Sequence, residues 1–326
     1  AMSVGLSRKG ETISAWALLA LQIAASAGQS VLICLSKSDG GFPYDASSVV
    51  CFQEGFKVLL TISFEARDRR DLRDLWSLRR FRSASLAPAF MAALHSNLVF
   101  LAHLHLSPPI FHLLSLCRVI ATGLLFRIVL RQQLVVIQWM GLLQLLLVMI
   151  GSSQIDPQNG EDRSGNPDEK WLAGMSLVLI LAACSFLSSA HLLLRNQEPD
   201  LYLHLFGFLS SILLYALLGT KRPFEGYTWE VFLLVIINSL MSLVGLRWRK
   251  QQRLKIFGSM GSLVLATVFS WWILDFIPGG NFSRGVLLSA AALSLYYGDQ
   301  KTLYRSDVEL IPLGRARTSR ELPKMV

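Results

Sequence analysis

Glu54 and Lys57 stand three positions apart inside an otherwise apolar stretch. At that spacing they share one helical face and can pair. An ionisable residue at the centre of a membrane helix costs about 2.5 to 3.5 kcal/mol to insert. Each therefore faces a partner or a cavity, as a structural ion pair or as a binding group. Arg118, in Ser115-Leu116-Cys117-Arg118, lies mid-stretch in another apolar block. Its planar guanidinium is suited to clamp a phosphate by paired hydrogen bonds; the alternative is a buried partner for Glu54. His95, Asn97 and His112 are polar positions in apolar blocks, where such groups must hydrogen-bond to another helix or to a ligand. Lys255 closes a basic run just ahead of the small-residue stretch Phe257-Gly258-Ser259-Met260-Gly261-Ser262. Positive charge at such an entrance draws in polyanions, although positive-side anchoring of a helix needs the same residue type.

Covalent chemistry finds no support. There is no phosphate-cradling glycine loop, nucleophile elbow, acidic cluster for Mg²⁺ or catalytic dyad, so neither an enzyme nor a cofactor is expected. His103, His105, His191 and His204 form no HxxxH or HExxH pattern, and Cys34, Cys51, Cys117 and Cys184 form no CxxC pair. Neither a metal site nor a disulfide framework is expected.

The elements that must position these groups follow from composition. Hydrophobic residues make up 52% of the 326 and charged ones only 16%, too few charges for a soluble domain. The apolar residues gather in blocks of roughly twenty, the length that crosses about 30 Å of hydrocarbon. Ten spans are predicted: Ile13–Leu35, Ser47–Phe64, Pro88–Leu106, Pro108–Leu130, Leu134–Ser153, Trp171–Leu194, Leu201–Gly219, Trp229–Leu246, Ile256–Leu274 and Ser283–Tyr297. The first is long, lacks a small-residue cleavage site and precedes many similar blocks, so it is expected to remain in the mature protein.

Basic residues set the orientation. Segment 65–87 carries seven arginines, segment 247–255 five basic residues and the tail beyond Tyr297 six, placing all three in the cytosol. Segment 154–170 holds five acids against Arg163 and Lys170 and belongs in the lumen. Lys221 and Arg222, on the predicted lumenal side, are the exceptions. The net charge of +9 is thus a matter of topology, with no nucleic acid as partner. The long lumenal segment divides the spans into two groups of five. Because five is odd, the second group must insert upside down, with any substrate site where the groups meet. The predicted organisation is a first five-helix repeat (1–153), a lumenal linker (154–170), a second repeat (171–298) and a cytosolic tail (299–326).

Read in order, the motifs resemble a known family. Asp45-Ala46-Ser47-Ser48-Val49-Val50, followed by Glu54-Gly55-Phe56-Lys57, is similar to the Glu-x-x-Lys helix of the nucleotide-sugar transporters related to the CMP-sialic acid and UDP-galactose carriers. Pro88 with His95-Ser96-Asn97-Leu98, Ser107-Pro108-Pro109-Ile110-Phe111-His112 and Leu116-Cys117-Arg118-Val119 follow at the family's positions, the last with arginine for its lysine. So do Gln138-Trp139, Gly226-Tyr227-Thr228, Lys255-Ile256-Phe257-Gly258-Ser259 and Asp275-Phe276. The likeness runs collinearly from residue 13 to 298. It implies an all-α drug/metabolite transporter fold of ten transmembrane helices in two inverted repeats, in the Golgi or endoplasmic reticulum membrane, with both termini cytosolic. The implied activity is antiport of a cytosolic nucleotide sugar, a UDP-sugar before CMP-sialic acid, against lumenal nucleoside monophosphate. By matching position, Lys57, Asn97, Arg118 and Lys255 would contact nucleotide and phosphate, with Glu54, His95 and His112 as further candidates.

The second half departs from the pattern. The family's Gly-Val-Tyr and Glu-Lys become His191-Leu192-Leu193 and Arg195-Asn196, and its Arg-Asn-Ile-Gln-Leu becomes Pro199-Asp200-Leu201-Tyr202-Leu203. Trp248-Arg249-Lys250-Gln251-Gln252 replaces Lys-Tyr-Ala-Asp-Asn. Either the pocket has been rebuilt, or the fold serves as a non-transporting scaffold subunit beside a membrane glycosyltransferase or other membrane enzyme. A second copy of the chain is the other protein partner considered.

Overall fold

The computed structural model describes residues 2–38, 41–67, 86–128, 134–151, 167–194, 201–247 and 252–298. Most of the arginine-rich segment, most of the acidic segment and the C-terminal tail lie outside the described residues. So do the side chains of Met2–Ala15 and of Lys255, although Lys255 falls on a described helix.

The described chain is helical: α1 (Met2–Leu35), α2 (Ala46–Arg67), α3 (Leu86–His105), α4 (Pro108–Ser115), α5 (Cys117–Ile128), α6 (Val136–Gly151), α7 (Pro167–Leu194), α8 (Leu201–Leu218), α9 (Trp229–Arg247), α10 (Gln252–Ile273) and α11 (Gly280–Gly298). Helices satisfy every backbone amide internally, which lipid requires. Trp16–Leu35, Leu86–His105 and Trp171–Ser188 are long and apolar enough to cross a membrane, and five shorter apolar stretches accompany them. The sides agree with a lipid solvent. Large apolar residues such as Trp272, Leu287, Leu147 and Leu217 point outward, while Ser211, Ser239, Ser270, Ser289 and His103 lie inside. The protein is therefore a multi-pass membrane protein whose apolar surface is its outer surface.

Two expectations need correction. The predicted fourth span is not one uninterrupted α-helix: at Leu116 (φ −63°, ψ −15°) the amide bonds back to the Leu113 carbonyl at 3.2 Å, a tighter turn that separates α4 from α5. Arg118 follows two residues later, and such turns inside helices often mark hinges. The helix of the predicted sixth span, α7, starts at Pro167, within the segment assigned to the linker, because Pro167-Asp168-Glu169 is good first-turn chemistry despite its polarity.

Packing repeats at an interval of five spans. The extensive α3–α7 contact is answered by α1–α9, α1–α10 by α4 and α5 on α7, and α3–α8 by α2–α9. The α2–α8, α6–α11 and α4–α10 contacts join spans five apart. Glycine permits the close approaches: a Cβ on Gly141 of α6 would stand 2.7 Å from the Ala292 carbonyl oxygen of α11.

One end of the bundle is stapled shut. Asp45 caps α2 by accepting the Ser47 and Ser48 amides at 2.8 and 3.2 Å, and its other oxygen accepts the Thr220 amide at 2.7 Å and hydroxyl at 3.3 Å. Lys221 donates to the Phe42 and Pro43 carbonyls at 2.8 and 2.9 Å, which accounts for a lysine on the predicted lumenal side. Ser36 hydrogen-bonds Tyr44 at 2.6 Å and Ser48 hydrogen-bonds Tyr227 at 2.9 Å. Tyr44, Tyr227, Phe42 and Phe100 interlock below them. Gly226 (φ 73°) touches the Pro43 backbone so closely that no side chain fits.

Candidate functional site

The charged residues meet about halfway along the helices. Glu54 lies nine positions beyond Asp45 along α2, a rise of about 14 Å from the stapled end. Glu54 Oε1 receives the Lys57 ammonium at 2.7 Å, with both side chains largely buried. The i, i+3 spacing brings them together within one helix. Glu54 Oε2 faces α8 so closely that a Cβ on Gly207 would stand 3.1 Å away, and a Cβ on Gly55 would stand 3.0 Å from the Phe208 ring. Glycine at both positions lets α2 and α8 seat the carboxylate between them.

From the other side, α5 carries Arg118 and α3 carries His95, whose Nε2 lies 3.5 Å from an Arg118 guanidinium nitrogen. Both Arg118 and Lys57 act electrostatically on His95, so three nitrogen-bearing side chains share one region. The Arg118 side chain is exposed, although its neighbours Cys117 and Val119 on α5 are buried. The alternative of an Arg118–Glu54 pair is not what the structure shows: Glu54 pairs with Lys57 of its own helix, and Arg118 meets His95.

Other sequence candidates do not join this cluster directly. Asn97 is two residues from His95, about 200° around α3; its amide donates to the Ala93 carbonyl at 3.0 Å, and its Oδ1 is buried without a partner. His112 turns toward α1, with Nε2 3.0 Å from the Ser30 hydroxyl, though it feels the charge of Arg118. The Lys255 side chain is outside the described residues. Conversely, sequence reasoning passed over His204, because a lone histidine without metal spacing carries no pattern. It is buried on α8 and feels both Lys57 and Glu54.

Several motif residues turn out to be architectural. Gln138 accepts the Val135 amide at 3.1 Å to cap α6 and donates to the Tyr296 carbonyl of α11 at 3.3 Å. Asp275 adopts a left-handed conformation (φ 52°), and the Phe276 amide returns to the Ser270 carbonyl at 3.0 Å, a helix stop for α10.

Residues 10–297 match the family described as nucleotide-sugar transporter. The chain belongs to that family. Relatives at low identity span nearly its whole length. The CMP-sialic acid transporter 1 of Arabidopsis thaliana is 25% identical, over 85% of this chain and 88% of its own. The probable UDP-sugar transporter protein SLC35A4 of Xenopus tropicalis is 28% identical, over 90% and 95%. The UDP-galactose transporter senju of Drosophila melanogaster is 24% identical, over 82% of each. A protein of known crystal structure shares the fold with a TM-score of 0.55 at 14% identity, covering 86% of this chain and 96% of that one. Family and relatives are transporters rather than enzymes, in agreement with the lack of catalytic motifs.

Proposed function

We propose that the protein is an antiporter of the Golgi or endoplasmic reticulum membrane that exchanges a cytosolic nucleotide sugar, UDP-linked before CMP-linked, for lumenal nucleoside monophosphate. Both termini are cytosolic in this reading. The observation that carries it is the gathering of cations between apolar helices: Arg118 stands 3.5 Å from His95, and Lys57 pairs with Glu54 on α2. A guanidinium so placed offers a phosphate paired donors in surroundings where charge attraction is strong. Lys57 joins when an incoming phosphate competes with Glu54. Asn97, His112 and Lys255 are proposed as outer contacts.

The five-span periodicity of the packing supports two inverted five-helix units, residues 1–153 and 171–298, that rock about this site. The stapled end formed by Asp45, Thr220 and Lys221 is the lumenal gate in its closed state. The test is uptake of labelled UDP- and CMP-sugars by liposomes containing the purified protein and preloaded with UMP or CMP. Uptake is expected with at least one pair, falling at least tenfold in Arg118→Ala and Lys57→Ala. Uptake untouched by either variant would remove the site assignment; none with any sugar would remove the activity.

The closed Glu54–Lys57 pair favours a second reading, in which ligand binding has been given up and the fold serves as a membrane subunit. A complete lack of thermal stabilisation by nucleotides, together with a stoichiometric co-purifying glycosyltransferase, would select it.

A further inference from the structure

We propose that His204 is a ligand-contact residue supplied by the second five-helix unit, which engages a phosphoryl oxygen of the bound nucleotide beside the Glu54–Lys57 pair. The inference rests on the transport reading above and adds a contact from α8 to a site otherwise built from α2, α3 and α5. Three observations carry it. His204 is three residues before Gly207, so the two share a face of α8, and Gly207 is the position that confronts Glu54 Oε2. Among the described residues, Lys57 and Glu54 act electrostatically on the imidazole. The side chain is only 9% exposed, and its Nε2 is buried without a hydrogen-bond partner.

A buried ring nitrogen without a partner is destabilising, and native folds seldom keep one without a role. Its location beside an ion pair at mid-membrane is where an anionic ligand would provide the missing partner. With Nε2 protonated, the imidazole donates to a phosphoryl oxygen while Lys57 turns from Glu54 to the same phosphate. His204 thereby ties α8 to a ligand held by α3 and α5, so that occupancy is felt by both five-helix units.

The experiment measures affinity for UMP and CMP by calorimetry on the full chain in lipid nanodiscs, comparing wild type, His204→Ala and His204→Gln. The melting temperature without nucleotide is recorded for each. The expected result is at least a tenfold loss of affinity in His204→Ala with an unchanged or higher nucleotide-free melting temperature, and partial recovery in His204→Gln, whose amide restores a donor. A merely structural histidine would shift the nucleotide-free melting temperature and leave the affinity alone, which would overturn the assignment. Wild-type affinity in both variants would do the same while leaving the transport reading intact. Failure of the wild type to bind either nucleotide would instead remove the transport reading, and this inference with it.

Discussion

Asp45 is the single residue on which most of the stapled end depends, and its removal has a calculable effect. In Asp45→Ala the Thr220 amide and hydroxyl lose their acceptor, and α2 loses the oxygen that caps the Ser47 and Ser48 amides. A hydrogen bond to a charged acceptor contributes about 1.5 to 3 kcal/mol net, and an N-cap about 0.5 to 2 kcal/mol. Local opening at Thr220 feels chiefly the first. With every 1.4 kcal/mol worth a factor of ten, exchange of the Thr220 amide with solvent should accelerate roughly ten- to hundredfold. Global unfolding feels both, a loss of about 2 to 5 kcal/mol. Asp45→Asn retains an oxygen for the α2 amides while losing the charge, so it should fall between wild type and Asp45→Ala. Hydrogen exchange followed by mass spectrometry over peptides covering 36–48 and 216–228 reads both. The reasoning fails if exchange of the 216–228 peptide is unchanged in a folded Asp45→Ala protein. Lys221 and the aromatic cluster would then hold that segment without the carboxylate.

Further outcomes follow from the same geometry. Gly226→Ala should destabilise the closed end more than an ordinary glycine replacement, since φ is 73° and the new Cβ meets the Pro43 backbone; a melting temperature equal to wild type would contradict this. Gly141→Leu forces α6 and α11 apart, because even a Cβ would stand 2.7 Å from the Ala292 carbonyl oxygen, and a loss of about 1 to 3 kcal/mol is expected in denaturant unfolding. Burial pushes the Tyr227 phenol up to about 12 against the opposing hydrogen bond from Ser48, so the folded state holds this proton more tightly than the unfolded chain does. Its contribution is intact below pH 10 and is lost as the pH rises from about 10 to 12. Thermal unfolding at pH 9 and pH 11.5 should show a smaller alkaline loss in Tyr227→Phe than in wild type.

The sequence by itself determined the class of this protein and the ion pair that lies within a single helix. Apolar blocks of membrane length specify the spans because lipid accepts no other arrangement of the backbone than internally bonded helices or closed barrels. The i, i+3 spacing of Glu54 and Lys57 places them within reach through helix geometry alone, and they pair at 2.7 Å. Family membership was legible for the same local reason, since motifs are read along the chain. Many of those motif residues then proved to be caps and stops, as Asp45, Gln138 and Asp275 are.

Tertiary structure alone decided which helices face one another. It set Arg118 beside His95 rather than Glu54, turned His112 toward Ser30 on α1, and converted Lys221 from an anomaly of charge into a staple across 178 and 179 residues of chain. It also brought His204 to the ion pair, a placement no spacing in the sequence announces. The physical reason is the reach of each constraint. Periodicity fixes the angle of a side chain about its own helix, whereas the partner it meets depends on how neighbouring helices pack, and in this fold on glycines that let two backbones close to contact.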